Sequence, residues 1–394
     1  MRKTEMAERQ MQGLLVSDYG KKKLLGYADS FCSLAKTFTY RKKEEGEGAD
    51  RQALLMKRRL LEDREILADN LQEIARIIRT LAQEEQPLYP FKERELKKII
   101  RACKEQGILV RSIYRTQDEV CGMKLAVSMK VDERCVMTVE EAAEFFSVLF
   151  GRRLLAERDS LFFLPGEYET IVFEEEAPFC ILTGMAKATR ENETVSGDTC
   201  SFIEQGNGKL IMALSDGMGS GEKAMADSEL VIDLLERFSE AGFSKETAAE
   251  MINGVLVART EEENMSTLDV CDINLYTGNC ELLKIGSAST YIKHGEMIER
   301  VEADSLPLGI FHKIDVSGQK RQLADGDYII MVSDGVVDGV DNEEIFEQVL
   351  AQIKLQSPQE MANYILQFVL HKTMGRVQDD MTVLVLGLWE NSRK

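Results

Sequence analysis

The chain has 394 residues, of which 44% are apolar, and a formal net charge of −19. A chain of this length can bury more core than one ordinary domain needs, so we expect more than one domain. The acidic balance argues against a nucleic-acid-binding protein, because such proteins present clustered Lys and Arg to the phosphate backbone.

The cysteines and histidines argue against two further kinds of site. The eight cysteines include no C-x-x-C pair, and the chain has only three histidines. This pattern disfavours a disulfide framework and a zinc or histidine-rich metal site, and it predicts reduced thiols in a cytoplasmic protein. There is neither a secretory signal nor an apolar run of about 18 residues, which predicts no membrane span. We expect a cytoplasmic protein or the soluble part of a membrane-anchored one.

Residues 1–85 are predicted to form a helical arm. They contain 17 Lys plus Arg against 15 Asp plus Glu, which leaves −21 for the rest of the chain. Two apolar stripes recur at helical or heptad-like spacing: Leu24, Ala28, Phe31, Leu34 or Ala35, and Phe38, then Leu60, Leu67, Leu71, Ile74, Ile78 and Leu81. So short an apolar stripe forms a stable helix only when it packs against another surface. Two interpretations stay open: the helix packs on its own domain, or it forms a helical hairpin or a dimerising regulatory helix. We expect a regulatory or dimerisation arm, with a homodimer formed through these helices.

Residues 86–176 are predicted to form a small α/β regulatory domain. Pro87 and Pro90 mark its start, because proline does not continue a helix. Thr138, with Glu141 three residues later, predicts a capping box at the start of a helix. The predicted helices are 91–106 and 139–150, and the predicted strands are 108–115, 120–131, 161–164 and 168–174. No catalytic constellation is visible in this stretch.

Residues 177–394 are rich in predicted strands. The ten strands are 181–189, 199–205, 209–215, 268–276, 280–285, 289–293, 296–301, 316–323, 328–332 and 382–388. Two pairs of helices lie between them, at 222–241 with 245–260 and at 343–354 with 359–374. This order predicts an α+β fold in which two antiparallel sheets lie face to face with helices on the outside.

Acidic residues stand at the ends of several of these strands. Asp216 and Asp334 each end an apolar run and precede a glycine, whereas Asp379 and Asp380 directly precede the last strand. Asp198 stands just before another strand. A single Asp-Gly after a strand is more often an ordinary turn than a ligand, but the group together predicts one shared metal centre.

Carboxylates are ligands of Mg²⁺ or Mn²⁺ rather than of zinc or copper. Two such ions, about 3.5 to 4 Å apart, can activate a water and clamp phosphoryl oxygens. Asp216 is the candidate bridge between them, and the carbonyl of Gly217 can also reach the metal. Asp334 and Asp379 would complete the shell of the second ion, and Asp198 would hold the first ion or its waters. These four acids are the predicted catalytic residues. No protein nucleophile is required, and Ser215 and Ser333 are interpreted as residues that orient the loops.

The ordered motifs resemble the metal-dependent serine/threonine phosphatases of the PP2C (PPM) family, and within it the stage II sporulation protein E branch. They are Ser196-Gly197-Asp198, Ser215-Asp216-Gly217-Met218-Gly219, Pro307-Leu308-Gly309, Ser333-Asp334-Gly335-Val336-Val337-Asp338 and Asp379-Asp380-Met381-Thr382. The phosphatase resemblance covers roughly 177–389. Residues 60–73 and the segment up to 176 resemble the cytoplasmic regulatory region of the same branch more weakly.

The resemblance implies a β-sandwich flanked by helices, two Mn²⁺ or Mg²⁺ ions, and removal of phosphate from phosphoserine on a protein. For the sporulation branch it implies a phosphorylated anti-anti-sigma factor as substrate. By family position Asp216 bridges the ions, Gly217 offers its carbonyl, and Asp334 and Asp379 bind the second ion. Asp380 is the alternate ligand if the acid pair is offset by one. Two features of the family are absent from the sequence: an Arg before Asp198 that grips phosphate in the animal enzymes, and a multi-span membrane region.

The sequence therefore predicts a metal-dependent protein phosphoserine phosphatase controlled by its N-terminal regions. The alternative is a regulated scaffold or oligomerisation protein with a weak or silent phosphatase domain, although the presence of all four acids argues against it. A hydrolase with an Asp nucleophile fits poorly, because Asp216-Gly217-Met218 lacks the second acid of a D-x-D pair.

Overall fold

The architecture comes from a computed structural model of the chain. It describes residues 18–39, 64, 67–72, 74–79, 89–118, 122–132, 135–157, 160–205, 208–241, 243–258, 265–302, 305–311, 314, 316, 318–340 and 342–391. The chain divides into two compact units. One comprises Met1–Gly26 and Ile78–Pro178, and the other comprises Tyr27–Ile77 and Phe179–Lys394.

The first unit contains a five-stranded antiparallel sheet with two helices against one face. In chain order its elements are β1 (Tyr89–Pro90), α2 (Glu93–Glu105), β2 (Ile108–Asp118), β3 (Gly122–Val131), α3 (Val139–Phe150), β4 (Leu154–Ala156) and β5 (Glu169–Glu175). The strand order is β1-β2-β3-β5-β4. Phe146 of α3 packs on Phe173 of β5, and Cys103 of α2 lies in the same core. The capping box of α3 is present: Thr138 Oγ1 accepts a bond from Glu141 N at 3.1 Å, and Glu141 Oε2 accepts one from Thr138 N at 2.7 Å.

One predicted strand in this unit is wrong. Residues 161–164 form no strand, and the edge of the sheet is instead β4, which pairs with β5. Phe162 and Phe163 are 72% and 53% exposed. Leu161 is also 50% exposed, whereas Leu164 is buried, so most of the apolar run lies at the surface, where apolar composition alone does not indicate a strand.

The helix α1 (Asp18–Thr39) is divided between the two units after Gly26, and its part in the second unit contacts helical residues within 67–72. Phe31 and Ala35 pack against Ala68 and Leu71. Of the predicted second stripe, Leu60 and Leu81 lie outside the described residues, and Leu67 is 43% exposed. The described contact between the two helical stretches thus combines two alanines with the larger side chains of Phe31 and Leu71. A regulatory or dimerising role for this arm stays a prediction.

The rest of the second unit is a β-sandwich. Its strands are β6 (Phe179–Ala188), β7 (Asp198–Gln205), β8 (Lys209–Asp216), β9 (Leu268–Asn274), β10 (Asn279–Ile285), β11 (Thr290–His294), β12 (Met297–Val301), β13 (Gln319–Gln322), β14 (Tyr328–Val332) and β15 (Met381–Glu390). One sheet has the order β13-β10-β9-β8-β7 and is called the β8 sheet below; the other, the β15 sheet, has the order β12-β11-β14-β15-β6. All paired neighbours are antiparallel.

The two sheets pack face to face, and helices cover both outer faces. Alternate residues of β8 have different partners: Met212 faces the core between the sheets, and Ala213 faces α4 (Gly221–Glu240) and α5 (Lys245–Ala258). Because both faces are covered, the strand appears in the sequence as a continuous apolar run rather than an alternating one. On the β15 sheet, α7 (Glu343–Gln352) and α8 (Pro358–Lys372) cover the outside.

The ten predicted strands and four predicted helices of this sandwich are present within a few residues of their predicted bounds. The short helix α6 (Asp334–Asp338) was not predicted, because five residues are too few to show a helical period. No helix among the described residues is both long and apolar enough to cross a lipid bilayer.

Candidate metal centre

Two of the predicted acids come from adjacent strands of the β8 sheet. Asp198 begins β7 and Asp216 ends β8, and the two residues are directly opposite each other in the antiparallel register. Residues paired in this way project their side chains from the same face of a sheet. That face also carries Met212 and Leu214, which lie in the core between the sheets. The two carboxylates therefore lie at one end of the sandwich, on its inner side.

The other acids come from the β15 sheet. Ser333 N donates to Thr382 O at 3.0 Å, and Thr382 N donates to Ser333 Oγ at 2.8 Å, which joins the end of β14 to the start of β15. A Cβ on Gly335 would lie only 2.3 Å from the carbonyl oxygen of Asp380, so this approach requires glycine. The close contact brings Asp334 and Asp379 to the same end of the sandwich.

The pKa values of the acids depend on one another's charges, as expected for carboxylates that lie close together. Burial raises the pKa of Asp216 to about 9, and the charges of Asp198, Asp334 and Asp379 add to the effect in that order. Asp334, the most exposed of the four, has a pKa raised first by partial desolvation and then by the charge of Asp379. Four acids that are distant in sequence thus form one mutually repelling group.

Asp198 is the most deeply buried of these acids and is 4% exposed. Burial raises the pKa of Asp198 to about 7, and the negative charge of Asp380 adds to this increase. The nearby hydroxyls of Thr382 and Ser333 and the positive charge of Lys187 lower the pKa and so reduce the increase. Neither oxygen of this carboxylate has a hydrogen-bond partner within the part of the chain that the structure describes. A buried carboxylate without partners is costly. A divalent cation or its bound waters would supply the missing partners, so this residue fits a metal site.

The side chains of the acids are not positioned as a complete set of metal ligands. Across the described residues, no three or more His, Cys, Asp or Glu side chains are spaced so that they could hold an ion as they stand. The strand register and the backbone contacts between β14 and β15 place the acids at one end of the sandwich, and the described side chains do not form a closed ligand cage. Like charges held this close repel, and a cation between them would remove the repulsion.

Gly217 is packed too tightly for any other residue. A Cβ at this position would lie 1.9 Å from the carbonyl oxygen of Ala224 in α4. Its N–H donates to Gly197 O at 3.2 Å, which ties it to the residue before Asp198. The loop is fixed from the other side as well, because Ser266 Oγ donates to Asp216 O at 2.8 Å.

The two serines beside the acids are buried and hydrogen-bonded. Ser215 Oγ lies 2.8 Å from Ser266 Oγ and donates to Thr267 O at 2.7 Å. Ser333 Oγ accepts the bond from Thr382 N already described. These contacts hold the loops in place and match the orienting role expected for both serines.

Asp380 differs from its neighbour Asp379. Its Oδ2 accepts a bond from Gly197 N at 2.7 Å, and its Oδ1 accepts one from Arg190 N at 2.9 Å. Asp379 is instead the acid whose charge acts on Asp216 and Asp334. Of the predicted set, the structure thus groups Asp198, Asp216, Asp334 and Asp379, and gives both Asp380 oxygens backbone partners.

Lys187 was missed by the reasoning from sequence. Its Nζ donates to Asp198 O at 3.1 Å, and its charge opposes the rise in the pKa of Asp198. Lys187 reaches this site because β6 pairs with β15, which places it opposite Thr382. A strand pairing between residues so far apart leaves no local signal in the sequence.

Comparison with known proteins gave consistent matches. The family model described as stage II sporulation protein E matches residues 206–388. Stage II sporulation protein E of Bacillus subtilis (strain 168) is 30% identical over 350 residues, which are 86% of this chain and 42% of that protein. The protein of that name from Priestia megaterium is 29% identical over 343 residues, 86% of this chain and 59% of that protein. The chain therefore spans about half the length of these curated relatives.

A solved structure is similar over most of the chain. It contains the PP2C phosphatase domain and a fragment of the regulatory domain of the cell fate determinant SpoIIE from Bacillus subtilis. The match covers 87% of this chain and 100% of that one, with 29% identity and a TM-score of 0.62.

Proposed function

Because the chain is similar over most of its length to stage II sporulation protein E, we propose that it is a metal-dependent protein phosphoserine phosphatase of the PP2C type. The observation that carries the proposal is the convergence of Asp198 and Asp216, from one sheet, with Asp334 and Asp379, from the other. A site built from both sheets of a sandwich gives carboxylates on several sides of one point, as a pair of hard cations requires.

The four acids and Gly217 have distinct roles in this proposal. Asp216 would be shared by two Mn²⁺ or Mg²⁺ ions, Gly217 would offer its carbonyl, and Asp198 would hold the first ion or its waters. Asp334 and Asp379 would hold the second ion. Such ions would supply an activated water and a clamp for the phosphoryl oxygens.

The protein's own groups prepare the site for this chemistry. The raised pKa of Asp216 means that it holds a proton at neutral pH when no cation is bound, so metal binding releases that proton. Neither Ser215 nor Ser333 is available as a nucleophile, because both are buried and hydrogen-bonded. Attack by water is therefore the route that the residues support.

We propose that the substrate is a phosphorylated anti-anti-sigma-like protein in the control of a sporulation sigma factor. The proposal assigns residues 1–85 to a regulatory or dimerisation arm, 86–176 to a regulatory domain and 177–394 to the phosphatase. A shift of α4, which follows the Asp216 loop, would move Gly217 and so change activity. Removal of residues 1–85 tests the arm: unchanged rate, metal affinity and oligomeric state would contradict this role.

The proposed activity is tested by hydrolysis of a phosphoserine protein with and without Mn²⁺. Asp334→Asn is the test variant, and we expect it to lose at least about 100-fold in kcat. Asp325→Asn is the matched control, because its carboxylate accepts a bond from Glu390 N at the opposite end of β15. Equal turnover by the wild type and Asp334→Asn would contradict the two-metal proposal.

A further inference from the structure

Asp380 links the two sheets of the sandwich beside the candidate metal centre. It directly precedes β15 in one sheet, and its Oδ2 accepts a bond from Gly197, which directly precedes β7 in the other. Its Oδ1 accepts a second bond from Arg190 in the segment between β6 and β7. The residue is only 5% exposed. One buried side chain thus joins the start of β7 to the start of β15.

The carboxylate is suited to this contact in a way that an amide is not. Each of its oxygens accepts one backbone N–H, and such bonds to an ionised group are about twice as strong as neutral ones. Asparagine has a single carbonyl oxygen, so its NH₂ group would face the second N–H donor to donor. The negative charge of Asp380 also has an unfavourable effect, because it raises the pKa of Asp198 further.

The packing around Gly197 leaves little room for this link to shift. A Cβ at Gly197 would lie 3.0 Å from Ala224 Cβ and 3.4 Å from Asp380 Oδ2. Gly197 O also accepts the bond from Gly217 N at 3.2 Å. A continuous chain of hydrogen bonds therefore runs from Asp380 through Gly197 to Gly217.

We propose that Asp380 is a positioning residue and not a metal ligand. It holds Asp198 and Gly217, from the β8 sheet, in a fixed place relative to Asp379, from the β15 sheet. The ligand roles of those three residues rest on the proposed function, whereas the link between the sheets does not.

The first test measures Mn²⁺ stoichiometry and kinetics on the full chain. We expect Asp380→Asn to keep two bound Mn²⁺ while its kcat falls about 10- to 100-fold and its KM for the phosphoprotein changes less than about threefold, as for displaced reacting groups. Asp379→Asn should lose one ion. Asp325→Asn is again the control and should match the wild type. Loss of an ion by Asp380→Asn, as in Asp379→Asn, would show that Asp380 is a ligand and overturn the proposal.

The second test measures hydrogen exchange at the link itself, which needs no activity. In folded Asp380→Asn, amides in peptides covering 189–198 should exchange at least about tenfold faster than in the wild type. Unchanged exchange together with unchanged kcat would overturn the positioning role. If the wild type neither binds Mn²⁺ nor hydrolyses phosphoserine, the proposed function fails, and the exchange result still decides whether the link exists.

A second variant, Gly197→Ala, keeps the proposal testable if Asp380→Asn does not fold. Gly197→Ala would press on Ala224 and on the Asp380 carboxylate without altering any acid. We expect it to show the same pattern of two bound ions, reduced kcat and faster exchange. Wild-type kcat and exchange in Gly197→Ala would contradict the proposal.

Discussion

At the residue scale, the buried acids make the metal-free protein sensitive to pH. The pKa values of Asp198 and Asp216, about 7 and about 9, stand well above their ordinary value of 3.8. A carboxyl group whose pKa is raised on folding binds its proton more tightly in the folded state. Its contribution to stability is present below pH 3.8 and is lost as the pH rises through the folded value.

We therefore expect the melting temperature of the chelator-treated protein to fall as the pH is raised from 5 to 9. Asp216→Asn, which cannot ionise, should show a shallower fall over the same range. Thermal unfolding of both proteins across this pH range checks the prediction. Identical slopes would show that Asp216 does not titrate differently in the folded state.

Gly217 gives a second residue-scale prediction. In Gly217→Ala the new methyl would meet the backbone of Ala224, which cannot simply rotate away. We expect a loss of stability of about 1–3 kcal/mol and weaker Mn²⁺ binding, because the Gly217 carbonyl must move. Gly166→Ala is the matched control, since nothing lies within 4 Å of its Cβ position. Unfolding curves and Mn²⁺ titration of both variants decide the outcome, and equal behaviour would contradict it.

At the element scale, the capping box of α3 is predicted from neighbouring residues in the sequence and is present in the structure. Thr138 and Glu141 bond reciprocally to each other's backbone N–H groups, and Gly151 ends the helix in the left-handed conformation, with φ of 66°. These contacts satisfy backbone groups that a helix end would otherwise leave unpaired. Both ends of α3 are therefore set by residues within the helix or directly next to it.

Thr138→Ala should reduce the stability of the first unit by about 1 kcal/mol, because it removes the acceptor of the cap. Glu144→Ala, at an exposed position of the same helix, should change stability by less than about 0.5 kcal/mol. Denaturant unfolding followed by circular dichroism measures both. A loss in Glu144→Ala as large as that in Thr138→Ala would mean that the cap contributes nothing specific.

At the scale of the whole molecule, the candidate metal centre lies entirely in the second compact unit. All four acids fall within Phe179–Lys394, whereas the capping box lies within Ile78–Pro178. A ligand stabilises only the structure that binds it, by about 2.7 kcal/mol at a concentration 100 times its Kd. The unfolding temperature of each unit should therefore respond to a ligand or substitution located in that unit and not to one located in the other.

We expect Mn²⁺ to raise the unfolding temperature of the unit that contains Phe179–Lys394 and to leave that of the other unit unchanged. Thr138→Ala should do the reverse, lowering only the transition of the unit that contains Ile78–Pro178. Calorimetry of the full chain, with peptide-resolved hydrogen exchange to assign each transition, makes the measurement. A Mn²⁺ shift of equal size in both transitions would contradict a site confined to one unit.

Much of the fold could be predicted because its signals are local. The strand β8 is a continuous apolar run, α3 carries its own capping box, and the acids stand at the beginnings or ends of strands. Local signals do not predict the structure correctly where an apolar run is mostly exposed, as at residues 161–164. They also miss an element that is too short to show a period, such as the helix Asp334–Asp338.

The sequence alone therefore determined the sandwich and its helix pairs, and it predicted the acids that the structure brings to one end of the sandwich, because periodicity and strand ends depend on near neighbours in the chain. Only the tertiary structure decided which strands pair, and with them the positions of Lys187 and Asp380. The pairing of β6 with β15 brings Lys187 beside Asp198, and the meeting of the two sheets brings Asp380 to Gly197. Such contacts depend on packing between segments nearly two hundred residues apart, and no spacing of neighbouring residues encodes them.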